Sequence, residues 1–152
     1  GRDILKMVVK NRYADAPPAV GFIHNFGLKK GALASCVAHD SHNIVAVGVD
    51  DASIATAINM IVEGKGGISL VDGETTMMLP LPFAGIMSGN DGFVVANRYD
   101  QMDKKAREMG STLSAPYMTL SFMALLVIPD IKLSDKGLFD GTRFEFTELF
   151  EK

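Results

Sequence analysis

Residues 44–79 read IVAVGVDDASIATAINMIVEGKGGISLVDGETTMML, and the order of elements in this stretch decides the fold class. It opens on Ile44–Val49, a β-branched run of strand length. Asp50 or Asp51 then stands where a helix N-cap belongs, because a carboxylate can accept the free amide hydrogens of a first turn. Behind it Ile54, Ile58, Ile61 and Val62 recur at i, i+4, i+7 and i+8, the stripe of an amphipathic helix, and Gly64 is a glycine stop. After Lys65-Gly66-Gly67, the runs Ile68–Val71 and Thr75–Leu79 flank Asp72-Gly73, a hairpin signal. Pro80 and Pro82 end the second run or place it at a sheet edge.

Working towards the N-terminus, Leu33–Ala38 is a further strand candidate and Lys29-Lys30-Gly31 a turn. Ala19–Phe26 reads as a strand ending at Gly27. Pro17 and Pro18 lie in a loop with Asp15-Ala16, because proline fixes φ and offers no amide donor. Ile4–Arg12 mixes β-branched and polar residues; Met7-Val8-Val9 can start a strand or a short helix, and alternation after Lys6 favours the strand. Towards the C-terminus a helix is expected from about Gly92 to Met109, with Val95, Tyr99, Met102, Ala106 and Met109 on one face. Asp100, Asp103, Lys104, Arg107 and Glu108 lie mostly elsewhere on it, and Gly110 stops it. Ser114 then caps a third helix with Pro116 near its start. Leu120, Phe122, Met123, Leu125 and Leu126 leave that helix little polar face, and Pro129 ends it. Thr142–Leu149 alternates in part, through Phe144 and Phe146, as a final strand. Hairpin and meander signals dominate the first half. The expected architecture is α+β: a mixed, largely antiparallel sheet with about three helices packed on it, in a single domain over residues 1–152.

The bulk properties narrow the function classes. A chain of 152 residues can bury a core without disulfides. Its formal net charge of −3 is spread along the chain with no Lys/Arg cluster, which argues against nucleic acid as the main partner. One cysteine, Cys36, excludes an intramolecular disulfide framework and fits a reducing compartment. There is no signal-peptide pattern, and the longest apolar run, Leu120–Ile128, is too short to span a bilayer. A cytoplasmic protein with no membrane partner is expected. A first residue of Gly rather than Met hints at a chain cut from something larger, or at a tag scar.

The candidate chemistry sits just before the opening stretch. His39, Asp40, Ser41, His42 and Asn43 are five consecutive polar side chains between two apolar runs, and two of the three histidines are among them. A polar block of this kind is where a chain leaves a sheet and presents side chains to a ligand. Cys36, His39, Asp40 and His42 suggest a metal site. However, Cys36 and His42 are on the order of 20 Å apart along a straight strand, and His39 and His42 would face opposite sides of it. Only a sharp bend at Asp40-Ser41 could bring the imidazoles together. A triad of Ser41 with Asp40 and His42 is weak, because sequence neighbours rarely point at one another. The zinc-deaminase signature needs more than one cysteine, and Gly64-Lys65-Gly66-Gly67 lacks the spacing of a phosphate-binding loop. Two readings stay open. The block is a tight turn held by its own Asp, Ser and Asn side chains, or it is a site in which neutral imidazole moves a proton or recognises a base near pH 7. His24 reads as a core or edge residue, Cys36 as a small core residue, and the methionines mostly as core filler. Leu79 to Met87, apolar and twice broken by proline, covers this domain's own core or another domain.

Longer motifs carry a resemblance. Phe26-Gly27-Leu28-Lys29-Lys30-Gly31-Ala32-Leu33-Ala34-Ser35, running into Val37-Ala38-His39-Asp40-Ser41-His42-Asn43-Ile44, closely resembles the C-terminal domain of bacterial adenine deaminases of the amidohydrolase superfamily. So do Lys65-Gly66-Gly67-Ile68, Leu79-Pro80-Leu81-Pro82 with Ala84-Gly85-Ile86-Met87-Ser88, Leu120 to Ala124 with Ile128-Pro129, and Leu133 to Phe139. The resemblance covers nearly the whole chain. It implies hydrolysis of adenine to hypoxanthine and ammonia by a (β/α)8 barrel whose histidines and acids hold a divalent metal: manganese, iron or zinc. This chain cannot contain that barrel, which needs about 250 residues, and it has no His-x-His pair to begin a metal cluster. The resemblance therefore implies an accessory domain that binds no cofactor itself, whose partners are the barrel of the same enzyme and adenine as that enzyme's substrate. His39, Asp40, Ser41, His42 and Asn43 would then project towards the barrel mouth and close or line the purine pocket. The alternatives are a non-catalytic docking or homo-oligomerisation module and a free-standing nucleobase-binding domain.

Overall fold

A computed structural model describes residues 2–150; Gly1, remarked on above, and residues 151–152 lie outside the described residues. The elements run β1 (Ile4–Lys10), β2 (Ala19–His24), β3 (Ala32–Ser35), β4 (Ile44–Gly48), α1 (Asp51–Glu63), β5 (Gly67–Asp72), β6 (Thr75–Pro80), α2 (Gly92–Glu108), α3 (Pro116–Phe122), β7 (Ile131–Ser134), β8 (Gly137–Asp140) and β9 (Glu145–Thr147). Six strands form the main sheet in the order β2-β1-β4-β3-β5-β6, and β7-β8-β9 form a small second sheet. Every ladder is antiparallel. The α+β class with a largely antiparallel sheet and three helices is as the sequence predicts.

The decisive stretch folds as a crossover. β4 and β5 both flank β3 antiparallel, so they run parallel to each other, and α1 connects them across one face of the sheet. Asp50 caps α1, its carboxylate accepting the Ser53 amide at 2.8 Å. The buried face of α1 is Ile54, Ala57 and Ile61. It therefore centres one position away from the expected stripe: Ile58 is only half-buried, and Val62 is 55% exposed. The floor beneath the helix is built of small side chains, Ala32, Ala34, Ala46 and Gly48. A Cβ on Gly48 would sit 2.6 Å from Ile54 Cγ1, so the absence of a side chain there sets how closely α1 approaches.

The opposite face carries the larger core. Leu5, Met7, Val9, Leu33, Val45, Val47, Ile68 and Leu70 pack under Met102 and Ala106 of α2 and Tyr117 and Leu120 of α3. The main sheet is thus sandwiched between α1 on one side and α2 with α3 on the other. Asp103, expected on the polar side of α2, is instead buried. Its Oδ1 is enclosed with no hydrogen-bond partner, and its carboxylate lies near the Tyr117 amide in the first turn of α3. The cap expected of Ser114 is not made: Ala115 holds the N-cap position and makes no side-chain cap.

Several boundaries differ from expectation for local reasons. β1 stops at Lys10 because the Asn11 side chain takes up the amides of Tyr13 and Ala14. β2 stops at His24, before Asn25 at φ 62. β3 is only four residues long and ends before Val37, whose amide donates to Ser35 Oγ at 3.0 Å. α3 ends at Phe122 rather than near Pro129, and turns at residues 123–130 lead into β7 and β8, which the sequence did not reveal. The expected final strand shrinks to the three exposed residues of β9.

Candidate functional site

The ladder registers bring the ends of β1, β3 and β6 and the starts of β2, β4 and β5 to one end of the main sheet. The loops at 11–18, 36–43, 64–66 and 81–91 meet there. The polar block is the β3–β4 connection, with its turn at residues 39–41. The His42 amide donates to the Ala38 carbonyl at 2.7 Å, closing the bend, and His42 itself takes φ 53. The Asn43 amide donates to Ser41 Oγ at 3.3 Å, and Asn43 Oδ1 accepts the Arg12 amide at 3.1 Å. The His39 amide donates to the Ser121 carbonyl at 3.2 Å, tying the turn to α3. This is the sharp bend that joint use of the imidazoles requires: their ring centroids lie 6.4 Å apart, edge to face.

The five side chains nevertheless diverge. His39 packs against Phe122 at 4.8 Å and lines a cavity of about 270 Å³ with Ser35, Val37, Tyr99, Tyr117 and Met118. Asp40 and Ser41 are exposed and border a different hollow of about 390 Å³, opposite Leu125, Val127 and Asp135. His42 Nδ1 is enclosed with no hydrogen-bond partner, and Asn43 is buried. Ser41 Oγ is engaged by the Asn43 amide rather than by an imidazole, so no Ser–His relay is assembled. Among the described residues, no group of three His, Cys, Asp or Glu side chains could hold a metal ion.

Cys36 takes no part in this chemistry. It is fully buried, its thiol donates to the Gly85 carbonyl at 2.8 Å, and its sulfur accepts the Gly67 amide at 3.1 Å. Burial pushes the thiol pKa up, away from the reactive thiolate. His24 is exposed at the end of an edge strand. Of the apolar 79–87 segment, Leu79 and Leu81 are buried in this chain's own core, while Phe83 and Met87 are 58% and 55% exposed.

Sequence reasoning missed Asn11, Arg12 and Tyr13. Arg12 Nη1 donates to the Ala84 carbonyl at 2.8 Å and Nη2 to the Tyr13 hydroxyl at 2.9 Å. That hydroxyl donates onward to the Ser41 carbonyl at 2.9 Å, and Asn11 Nδ2 donates to Asp135 Oδ2 at 2.7 Å. One tripeptide at the end of β1 therefore ties together the 39–43 turn, the 81–88 segment and the β7–β8 hairpin. The only trace of it in the sequence is an Asn-Arg-Tyr run between a strand and two prolines.

No helix among the described residues is long and apolar enough to cross a membrane. The family model for the adenine deaminase C-terminal domain matches residues 1–145. A protein named adenine deaminase from Sulfurovum sp. (strain NBC37-1) is 62% identical over 148 residues, covering 97% of this chain and 28% of that protein. Its namesake from Methanosarcina barkeri is 59% identical over 149 residues, with coverage of 98% and 27%. That from Salinibacter ruber is 56% identical over 151 residues, with coverage of 98% and 28%. The chain spans little more than a quarter of the length of these curated relatives.

Proposed function

Because this chain belongs to the adenine deaminase C-terminal domain family, we propose that it is the accessory domain of a cytoplasmic enzyme that hydrolyses adenine to hypoxanthine and ammonia. Water adds at C6 of the base, the C6–N bond breaks, and the departing amine leaves as ammonia once it has gained a proton. In the complete enzyme a divalent metal held by a barrel outside this chain, whether manganese, iron or zinc, would supply the activated water. This domain brings the 39–43 turn to the purine pocket of that barrel. His39 approaches the pocket from its cavity beside α3 and Asp40 and Ser41 from the hollow on the other side of the turn, while His42 and Asn43 hold the turn in shape.

The observation that carries this reading is the turn itself. It is held by hydrogen bonds from its own backbone, from Ser41 and from Asn43, yet leaves a carboxylate exposed and an imidazole half-buried beside a cavity at the end of the sheet. Adenine offers ring-nitrogen acceptors and an exocyclic amine that such groups can bond, and proton delivery to the leaving amine suits an imidazole near neutral pH. In the complete enzyme, His39→Ala is expected to lower kcat/KM for adenine about a hundredfold with metal content unchanged. Turnover and KM equal to wild type would reduce the block to a structural turn.

A second reading is a docking or oligomerisation module with no part in the chemistry. The exposure of Phe83 and Met87 on the proline-broken segment favours it. It predicts that Phe83→Ser with Met87→Ser changes assembly while His39→Ala changes nothing, as read by sedimentation and turnover together.

A further inference from the structure

On β1 and β2, register places Ile4, Lys6, Val8 and Lys10 on the same face as His24, Phe22 and Val20. This is the face that α1 covers, since Val8 joins Ala32, Ala34, Ala46 and Ile54 in the cluster beneath that helix. The helix packs on β3, β4 and β5 and leaves the β1–β2 side of the face bare. A solvated sheet face normally alternates to polar side chains. Here Ile4 is 51% exposed, Phe22 50% and Val20 42%. Together they floor a trough whose far wall is α1.

The Lys6–Asp51 ion pair bridges the trough from β1 to α1, and at the end of the sheet where β1 finishes lies a cavity of about 810 Å³. Ile44, Ile61 and Val62 line it, with the cations Lys10, Arg12 and Lys65 at its rim. At the opposite end the trough opens beside Ile4, where the backbone enters the sheet from Arg2 and Asp3. The family match is to a C-terminal domain, and the relatives extend over more than three times the matched length. The bulk of such a polypeptide therefore arrives at the open mouth of the trough.

We propose that this trough, floored by Ile4, Phe22 and Val20 beside α1, is the seat of the polypeptide that precedes this domain in the same chain. The occupant presents an apolar ridge to the floor. The proposal rests on the reading of this chain as the accessory part of a longer enzyme, and it concerns a different surface from the 39–43 turn. Docking here holds the domain by its β1–β2 face and leaves the opposite end of β1, with its loops, free to reach a substrate pocket.

The test is thiol accessibility in the complete enzyme. Cys36 is fully buried, and labelling is read at each introduced position by peptide mapping, so that other thiols of the enzyme do not enter the comparison. Phe22→Cys and Val20→Cys are compared with Lys104→Cys, on α2 at the other face, where the side chain is 64% exposed. Labelling of both trough positions at least tenfold slower than position 104, at every protein concentration, is the expected result. Labelling as fast as at position 104 would overturn the proposal, as would protection that vanishes on dilution, because a second copy would then be the occupant. Ser41→Cys, measured alongside, reports separately on the turn. Protection of position 41 with free labelling of positions 20 and 22 removes the seat and leaves the functional reading intact.

Discussion

Arg12 does more for the candidate site than any residue within it. Its guanidinium spans from the Ala84 carbonyl to the Tyr13 hydroxyl and, through that hydroxyl, to Ser41. Gly85 packs directly against it: at φ 81, a Cβ there would lie 1.6 Å from Arg12 Nη1. Hydrogen bonds involving a charged group contribute about 1.5–3 kcal/mol each. Arg12→Ala is therefore expected to cost about 2 kcal/mol in urea unfolding, and Gly85→Ala a similar amount through backbone strain and displacement of the guanidinium. If both variants unfold at the wild-type urea midpoint, the clamp is not what holds the two loops together. The five polar residues at 39–43 were legible because their types are conspicuous in an apolar context. Arg12 was not, because its partners at 41, 43 and 84 are made near only by the sheet.

At the scale of elements, Asp103 of α2 is buried beside the start of α3. α3 begins with a proline and has no side-chain cap, and the Asp103 carboxylate lies near its Tyr117 amide with Oδ1 left without a hydrogen-bond partner. Burial raises the Asp103 pKa, and the Asp100 charge adds to that. The Arg107 cation and the Tyr117 amide oppose the rise without cancelling it. An unfolded aspartate titrates near its ordinary value of about 3.9. The folded chain thus holds the Asp103 proton more tightly than the unfolded chain does. This contribution to stability is fully present below about pH 4 and is lost as pH rises through the folded pKa. Asp103→Asn keeps the size and an oxygen acceptor of the side chain and has no such titration. Wild type should therefore lose stability relative to this variant between pH 4 and pH 7, as read from urea midpoints across that range. A difference that stays flat with pH would show that Asp103 is solvated as an ordinary surface carboxylate. The capping motif at Asp50 was readable because cap and helix are adjacent in the chain. The carboxylate beside the start of α3 comes from a residue thirteen positions before its first residue, and no local pattern marks it.

At the scale of the molecule, the main sheet is the common floor of two cores. Val45 and Val47 face α2 and α3, while Ile44 and Ala46, on the same strand, face α1. Because alternate residues of single strands serve opposite layers, loosening one core loosens the other. Ile61→Ala in α1 and Leu120→Ala in α3 should each cost about 2–5 kcal/mol. Each should shift one shared unfolding transition, seen alike by circular dichroism and tyrosine fluorescence. Two separated transitions in either variant would mean that the helical layers unfold independently of the sheet. The single domain inferred from chain length stands or falls with that measurement.

The sequence by itself determined the α+β class, the succession of β4, α1 and β5, the β5–β6 hairpin, most of α2 and the position of the polar turn. Each of these is written in contiguous periodicity, capping and turn chemistry, which act between residues close in the chain. Tertiary structure alone decided the strand order, the layer each helix covers, the burial of Asp103, the β7–β8 hairpin and the clamp from Arg12. It also decided that His39 and His42 lie 6.4 Å apart while facing different surroundings. These features depend on contacts between residues remote in sequence, whose nearness follows from packing a twisted sheet against three helices. The polar turn was visible as chemistry in the chain, but the direction in which each of its side chains points was set by the fold.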